Sequence, residues 1–470
     1  LLTFKLVTNV FGKFLERFIS IKKLSYRYLQ YWTINKVGEN MTSRAIHLRP
    51  SKYTKYRVIV NFIVLFWLLF LSYFYMIAPL FSYAGFGIWD FSATSLLGGF
   101  FLVILITGLG ATIKDFLYYM LFHCILTMNF IPAVILAICM GWKLAPVLIV
   151  LFPLFTLFFL DKFTPKIEIS PKKIIFEKRK AIKWTIIALI LVTPLLSRYQ
   201  YIDLSNLLLK EVYESRALAK SLDNPYIGYV ANPLERYLLP FLLIYFMSNK
   251  KKIGTVIVLV MIIVVYLTTG SLKGYLVYTA LMVLLFFGDS QFKKMGNFLA
   301  WLCVGLSLEL FMFLVTGKMY ITTYIRRSFF VEGLLSRQYA EYFSGNLTFF
   351  SHTKIASIFG VDSVYRSSGN ITNWFGINVI GTGTNASIGS FTEGYFSLGI
   401  IGVIITCIIF GLVCFLVRSC EIENKYIGVV MLGCYVFIMS MIEMAFLTQG
   451  LWFFIVLCLY VFPRNVSIKS

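Results

Sequence analysis

The sequence predicts an all-α polytopic membrane protein of about twelve transmembrane helices with two long external loops, and three observations carry that expectation. Of its 470 residues 59% are hydrophobic and only 14% charged, and the mean hydropathy is +0.81; soluble globular domains do not approach these values. The apolar residues gather in twelve runs. A helix needs about 20 such residues to cross roughly 30 Å of hydrocarbon, because every backbone amide in lipid must be paired inside its own segment. Two long polar insertions, residues 196–237 and 317–390, interrupt the series and hold arginines, carboxylates and tyrosines.

In chain order, residues 1–57 form a basic cytoplasmic segment and 58–196 hold helices one to five. Residues 197–236 make the first external loop, 237–316 helices six to nine, and 317–392 the large external loop. Helices ten to twelve follow in 393–462, with a cytoplasmic tail at 463–470. The apolar runs are 58–77, 92–112, 116–140, 144–160, 184–196, 237–248, 253–269, 272–288, 296–316, 393–417, 426–446 and 451–462; the fifth, sixth and last are short.

Lysine and arginine set the orientation, since basic loops stay in the cytoplasm. The amino-terminal cluster (Lys5 to Arg57), the 162–183 loop, Lys250–Lys252, Lys293–Lys294 and the tail fall on one side when the chain crosses twelve times. That side is read as cytoplasm, which puts both termini on the cytoplasmic side of a bacterial inner membrane and both polar insertions on its outer face. A net charge of +22 then serves to neutralise lipid headgroups rather than to bind nucleic acid. The chain opens on Leu1; Met41 is a reasonable start, so residues 1–40 are an upstream extension or else carry an interfacial amphipathic helix. No cleavable signal peptide is visible.

Seven of the eight cysteines sit inside apolar runs and Cys420 lies just beyond one, so they read as small buried hydrophobes. Of His47, His123 and His352 only the last is external, and no phosphate-binding glycine loop is present. No metal and no cofactor is expected.

The insertions carry Arg198, Arg216 and Arg236, then Arg326, Arg327, Arg337 and Arg366. External arginine runs against the usual charge bias. A phosphate or pyrophosphate headgroup explains it, because the guanidinium fork matches phosphate oxygens at about 1.5–3 kcal/mol per charge-assisted bond. Loop salt bridges to Glu211, Glu214, Asp223, Glu332 and Glu341 are the alternative, and Arg337 and Glu341 stand four residues apart. Tyr339, Tyr342 and other aromatic residues of these loops suit stacking on sugars or, equally, an interfacial belt. Lys273, at a sharp external turn, snorkels or reaches a headgroup. Glu393 at the tenth helix start either complements the helix dipole or acts as a base; Glu443 inside the eleventh reads as a structural hydrogen-bonding group.

The run Ile325-Arg326-Arg327-Ser328-Phe329-Phe330-Val331, then Tyr339, Tyr342-Phe343-Ser344, Asn385-Ala386 and Glu393-Gly394-Tyr395-Phe396-Ser397-Leu398-Gly399, resembles the O-antigen polymerase family (Wzy). Thr269-Gly270-Ser271-Leu272-Lys273-Gly274 is similar to a turn of that family which more often carries arginine. The resemblance covers roughly residues 203–415. It implies a GT-C-like membrane glycosyltransferase that moves a growing polysaccharide from its undecaprenyl-pyrophosphate carrier onto one new lipid-linked repeat unit. In that light Arg216, Arg326, Arg327, Lys273 and Arg337 are expected to hold pyrophosphate, Tyr339, Tyr342 and Asn385 sugar, and Glu393 or His352 to act as base. A chain-length regulator and a flippase in the same membrane are the implied partners. An O-antigen ligase or a lipid-linked oligosaccharide flippase is the alternative reading.

Overall fold

The computed structural model describes residues 52–165, 176–195, 227–268, 273–288, 290–383 and 385–464. Among the described residues the regular structure is helical, and the extended pairing is limited to an isolated bridge between Ile422 and Arg464. The main helices are α1 (Tyr56–Leu80), α2 (Ala93–Gly110), α3 (Phe116–Met140) and α4 (Leu144–Phe163). Then come α5 (Lys178–Val192), α6 (Leu239–Ser248), α7 (Lys252–Thr268), α8 (Lys273–Phe286) and α9 (Gln291–Thr316). The last four are α10 (Val331–Tyr342), α11 (Ser390–Ser419), α12 (Ile427–Met439) and α13 (Leu451–Tyr460).

Each of the twelve apolar runs contains a helix. Among the described residues six, α1 to α4, α9 and α11, are long and apolar enough to cross a membrane, while α7, α12 and α13 are apolar but shorter. The protein is a helical, membrane-embedded one.

α3 is the central element. It has no polar face, so burial on all sides suits it; 89% of its apolar window is enclosed, against at most 50% for the other five long helices. Around it α1 packs along α9, with Asn61 Nδ2 donating to Gly296 O at 3.1 Å, α4 packs along α11, and α6 packs along α7.

Four wide π-type turns, Tyr73–Ile77, Leu126–Phe130, Ile227–Ala231 and Leu234–Leu238, each end two residues before a proline: Pro79, Pro132, Pro233 and Pro240. Proline lacks an N–H and its ring crowds the carbonyl four residues back, so the hydrogen-bond ladder widens instead of breaking. A fifth such turn, Arg326–Phe330, has no proline near it.

Polar groups mark the two ends of α3. At the Asp115 end, Arg418 Nε donates to Asp115 Oδ2 at 2.9 Å and Arg418 Nη1 to Thr164 Oγ1 at 3.1 Å, tying α11 to α3 and α4. Lys162 Nζ donates to Thr112 O at 2.7 Å there. At the Met140 end stands the insertion 317–390, which folds rather than loops. Leu335, Tyr339, Phe343, Ile371, Phe375, Ala386, Ile388, Phe396 and Met441 form a core of its own, separate from the bundle core. Of the first insertion, residues 196–226 lie outside the described residues.

Candidate functional site

The site begins with a break in α11. Leu398 (φ −139°) and Gly399 (φ 64°, ψ −144°) leave helical geometry, the latter in a conformation open in practice to glycine alone. The chain folds back on itself there. A Cβ on Gly402 would overlap the carbonyl oxygen of Gly394, so the two halves cross with their backbones in contact. The amino-terminal half is thereby free to pack sideways: Ser390 Oγ donates to Phe437 O at 2.7 Å, and Thr392 Oγ1 lies 2.7 Å from Ser336 Oγ on α10.

That half carries Glu393, which is buried together with His352 from the large insertion. Glu393 Oε1 lies 3.0 Å from His352 Nε2, and its Oε2 accepts the Ile442 N–H at 2.6 Å. The Ile442 amide is available because the eleventh apolar run is interrupted between Met439 and Ile442. On its other side the imidazole presents Nδ1 to Thr348 Oγ1 at 3.2 Å, and that hydroxyl lies 3.3 Å from Ser397 Oγ. In the tautomer with the ring proton on Nε2, facing the carboxyl group, the Nδ1 lone pair faces a hydroxyl. A carboxylate that orients an imidazole toward a hydroxyl is the arrangement of a general base.

The sequence offers Glu332, at the start of α10, only as a salt-bridge partner. Its hydrogen-bond partner is an amide instead: Oε2 accepts from Asn129 Nδ2 at 2.9 Å, and Asn129 Oδ1 accepts from Tyr435 Oη at 2.7 Å. Beside it lies a cavity of about 20 Å³, lined by Glu332, Asn129, Ser336 and Thr392 among others, with room for about one water. Burial pushes the Glu332 carboxyl up to about 7, with the Asn129 bond opposing. A carboxyl that titrates near neutrality can give or take a proton. The legible signal was Asn129, an amide in an otherwise apolar run and placed in the wide turn before Pro132.

The other expected residues divide by position. Arg337 is buried, with Nε on Glu341 Oε1 at 2.9 Å, Nη1 on Gly141 O at 2.7 Å and Nη2 on Met140 O at 2.8 Å. Its guanidinium closes the carboxy-terminal end of α3, and the Glu341 pairing weighed from sequence is present. Tyr339 is fully buried, its ring 3.8 Å from that of Phe375 and its hydroxyl on Ala386 O at 3.1 Å, so it serves the core of the insertion. Tyr342 and Asn385 stay at the surface. Arg326 lies 4.2 Å from the Phe81 ring centroid and Arg327 is exposed, both on the wide turn without a proline. Lys273 opens α8. Arg216 lies outside the described residues.

Two further charges, one in the large insertion and one in the eleventh apolar run, hold the insertion's structure. Arg366 Nη1 donates to Ser351 O at 2.7 Å and Thr353 O at 3.1 Å, and its Nη2 to Val361 O. Glu443 Oε2 accepts the Lys354 N–H at 2.7 Å, the kind of structural bond expected of it. Arg236 faces inward, at a cleft it shares with Tyr278 and with the same Tyr435 that bonds Asn129.

Compared with protein-family models, with curated proteins and with solved structures, the chain shows no match.

Proposed function

We propose that this protein is an integral membrane glycosyltransferase that polymerises undecaprenyl-pyrophosphate-linked oligosaccharide repeat units into O-antigen or a related surface polysaccharide. The observation that carries the reading is the buried contact of His352 with Glu393, which leaves one imidazole nitrogen facing a hydroxyl. In this reading a sugar hydroxyl of the incoming repeat unit takes the place of Thr348 Oγ1. Its proton goes to His352 Nδ1 as its oxygen bonds the anomeric carbon of the growing chain. The bond from that carbon to the pyrophosphate oxygen breaks, and the electron pair leaves with the lipid pyrophosphate.

Negative charge develops on the leaving group, so prearranged guanidinium groups favour the transition state over the ground state. Arg326 and Arg327, on one turn ahead of α10, are the described candidates; Arg216 and Lys273 complete the set taken from the family resemblance. Tyr342 and Asn385, exposed near the carboxy-terminal edge of the insertion core, are the sugar-binding candidates. Because its donors already hold α3, Arg337 supports the site indirectly. Twelve crossings, a GT-C-like architecture, a bacterial inner membrane with the site on its outer face, and a flippase and chain-length regulator as partners belong to the same proposal.

Purified protein given purified lipid-linked repeat units, without nucleotide sugar, is expected to yield a polysaccharide ladder that His352→Ala abolishes. No ladder from authentic units, or one unchanged in the variant, overturns the reading.

A further inference from the structure

We propose that the segment from Phe349 to Val364 is a membrane-contacting element whose apolar side chains enter the bilayer at the end of the bundle that holds the His352–Glu393 pair. Ile358 and Phe359 are each 80% exposed, and Phe349 is 70% exposed. Water is a poor environment for such a set on one short segment. The loop is nonetheless firmly built, since Arg366 gathers three of its carbonyls, from Ser351, Thr353 and Val361, and Glu443 holds the Lys354 N–H. With its polar backbone turned inward onto one guanidinium, the segment presents side chains outward.

Backbone strain points the same way. Phe349 (φ 52°) and Phe350 (φ 57°) both adopt the left-handed region, which bulky residues avoid. The protein gives Phe349 little in return, because its ring stays exposed; a surface outside the protein is what the strained turn serves.

The occupant is identified by continuity. Phe349 N–H bonds Ser397 O at 3.0 Å, at the break of α11. Directly beyond the break, Ile401, Ile408 and Leu412 form an exposed apolar stripe along a helix apolar and long enough to cross a membrane. The exposed surface of the loop therefore starts where the lipid-facing stripe starts. Lys354, exposed beside Ile355, has the reach to meet lipid phosphates while the apolar side chains enter the acyl region. Acyl lipid, rather than a second copy of the chain, is the occupant.

The test uses spin labels on the full-length protein in phosphatidylglycerol–phosphatidylethanolamine liposomes, at Phe359→Cys, at Ile358→Cys and at Gly383→Cys, an exposed control. Unsubstituted protein, whose native cysteines are buried or partly buried, supplies the background. Oxygen is expected to relax the labels at 358 and 359 several-fold more effectively than a water-soluble nickel chelate, with the reverse at 383. Equal chelate access at all three positions overturns the proposal. So does dipolar broadening between labels at 359 that grows with the protein-to-lipid ratio, because it puts a second copy on the face. Neither readout involves glycosyl transfer, so this inference and the proposed function fail separately.

Discussion

His352 Nε2 and Glu393 Oε1 lie 3.0 Å apart although 41 residues separate them in the chain. Both are buried, and the carboxylate has a second partner in the Ile442 N–H, so this one residue joins the large insertion, the broken helix and the segment before α13. Glu393→Ala leaves an imidazole N–H and a backbone N–H unpaired in the interior. The expected cost is about 2–5 kcal/mol, read as a lower apparent melting temperature in detergent together with loss of ladder formation. Combined with His352→Ala it should show a coupling energy of about 1–3 kcal/mol; additive single effects would mean that the contact is incidental.

Arg337 and Arg327 should behave in opposite ways, although both stood in one expected pyrophosphate set. Arg337→Lys cannot reproduce a fork that reaches Met140 O, Gly141 O and Glu341 at once. It is expected to lower stability by about 2–4 kcal/mol with activity following the folded fraction. Arg327 is exposed, so Arg327→Ala should keep the melting temperature and raise KM or lower kcat for lipid-linked donor. Melting curves beside initial rates separate the two; an unstable Arg327→Ala would place that arginine in the scaffold.

How much of this was legible in the chain depends on whether a feature is local. The bounds of α3, 116–140, read directly because an unbroken apolar stretch between Asp115 and Gly141 has one helical solution in lipid. The tenth apolar run read as one helix, yet Leu398 and Gly399 break it, since the crossing of Gly394 and Gly402 is a contact between two backbones that composition does not announce. From sequence Tyr339 reads as a sugar platform or a belt residue. Both readings assumed a loop, and an insertion that folds needs its own core, which Tyr339 and Phe375 supply. The positions of His352 and Glu393 in the chain were visible, and their contact was not, because it depends on how the insertion packs.

Gly402→Ala tests the crossing in α11. The added methyl meets the Gly394 carbonyl, a backbone atom that cannot rotate away. The two halves must separate, which also moves Glu393 and Ser390 from their partners. A loss of at least about 3 kcal/mol is expected, at the severe end for single substitutions, seen as poor recovery of folded protein by size-exclusion chromatography. Gly305→Ala, where the added methyl meets open space, should be recovered as well as the parent. Equal recovery of the two variants would rule the crossing out.

Glu332 gives the protein a pH dependence whose sign is fixed by the direction of its shift. Burial raises its carboxyl from 4.5 to about 7, so between those pH values the folded state holds a proton that the unfolded chain has released. Stability from this group is fully present below pH 4.5 and is lost as pH rises through about 7. The full difference is on the order of 1–3 kcal/mol, since Glu332 is only partly buried and solvent discounts the shift. Glu332→Gln mimics the protonated carboxyl and keeps an acceptor for Asn129 Nδ2. Its apparent melting temperature should match the parent near pH 5 and exceed it near pH 8, flattening this part of the profile. Parallel profiles for parent and variant across that range would show that the carboxyl beside Asn129 stays ionised in the fold, and its place as a proton donor or acceptor near neutral pH would go with it.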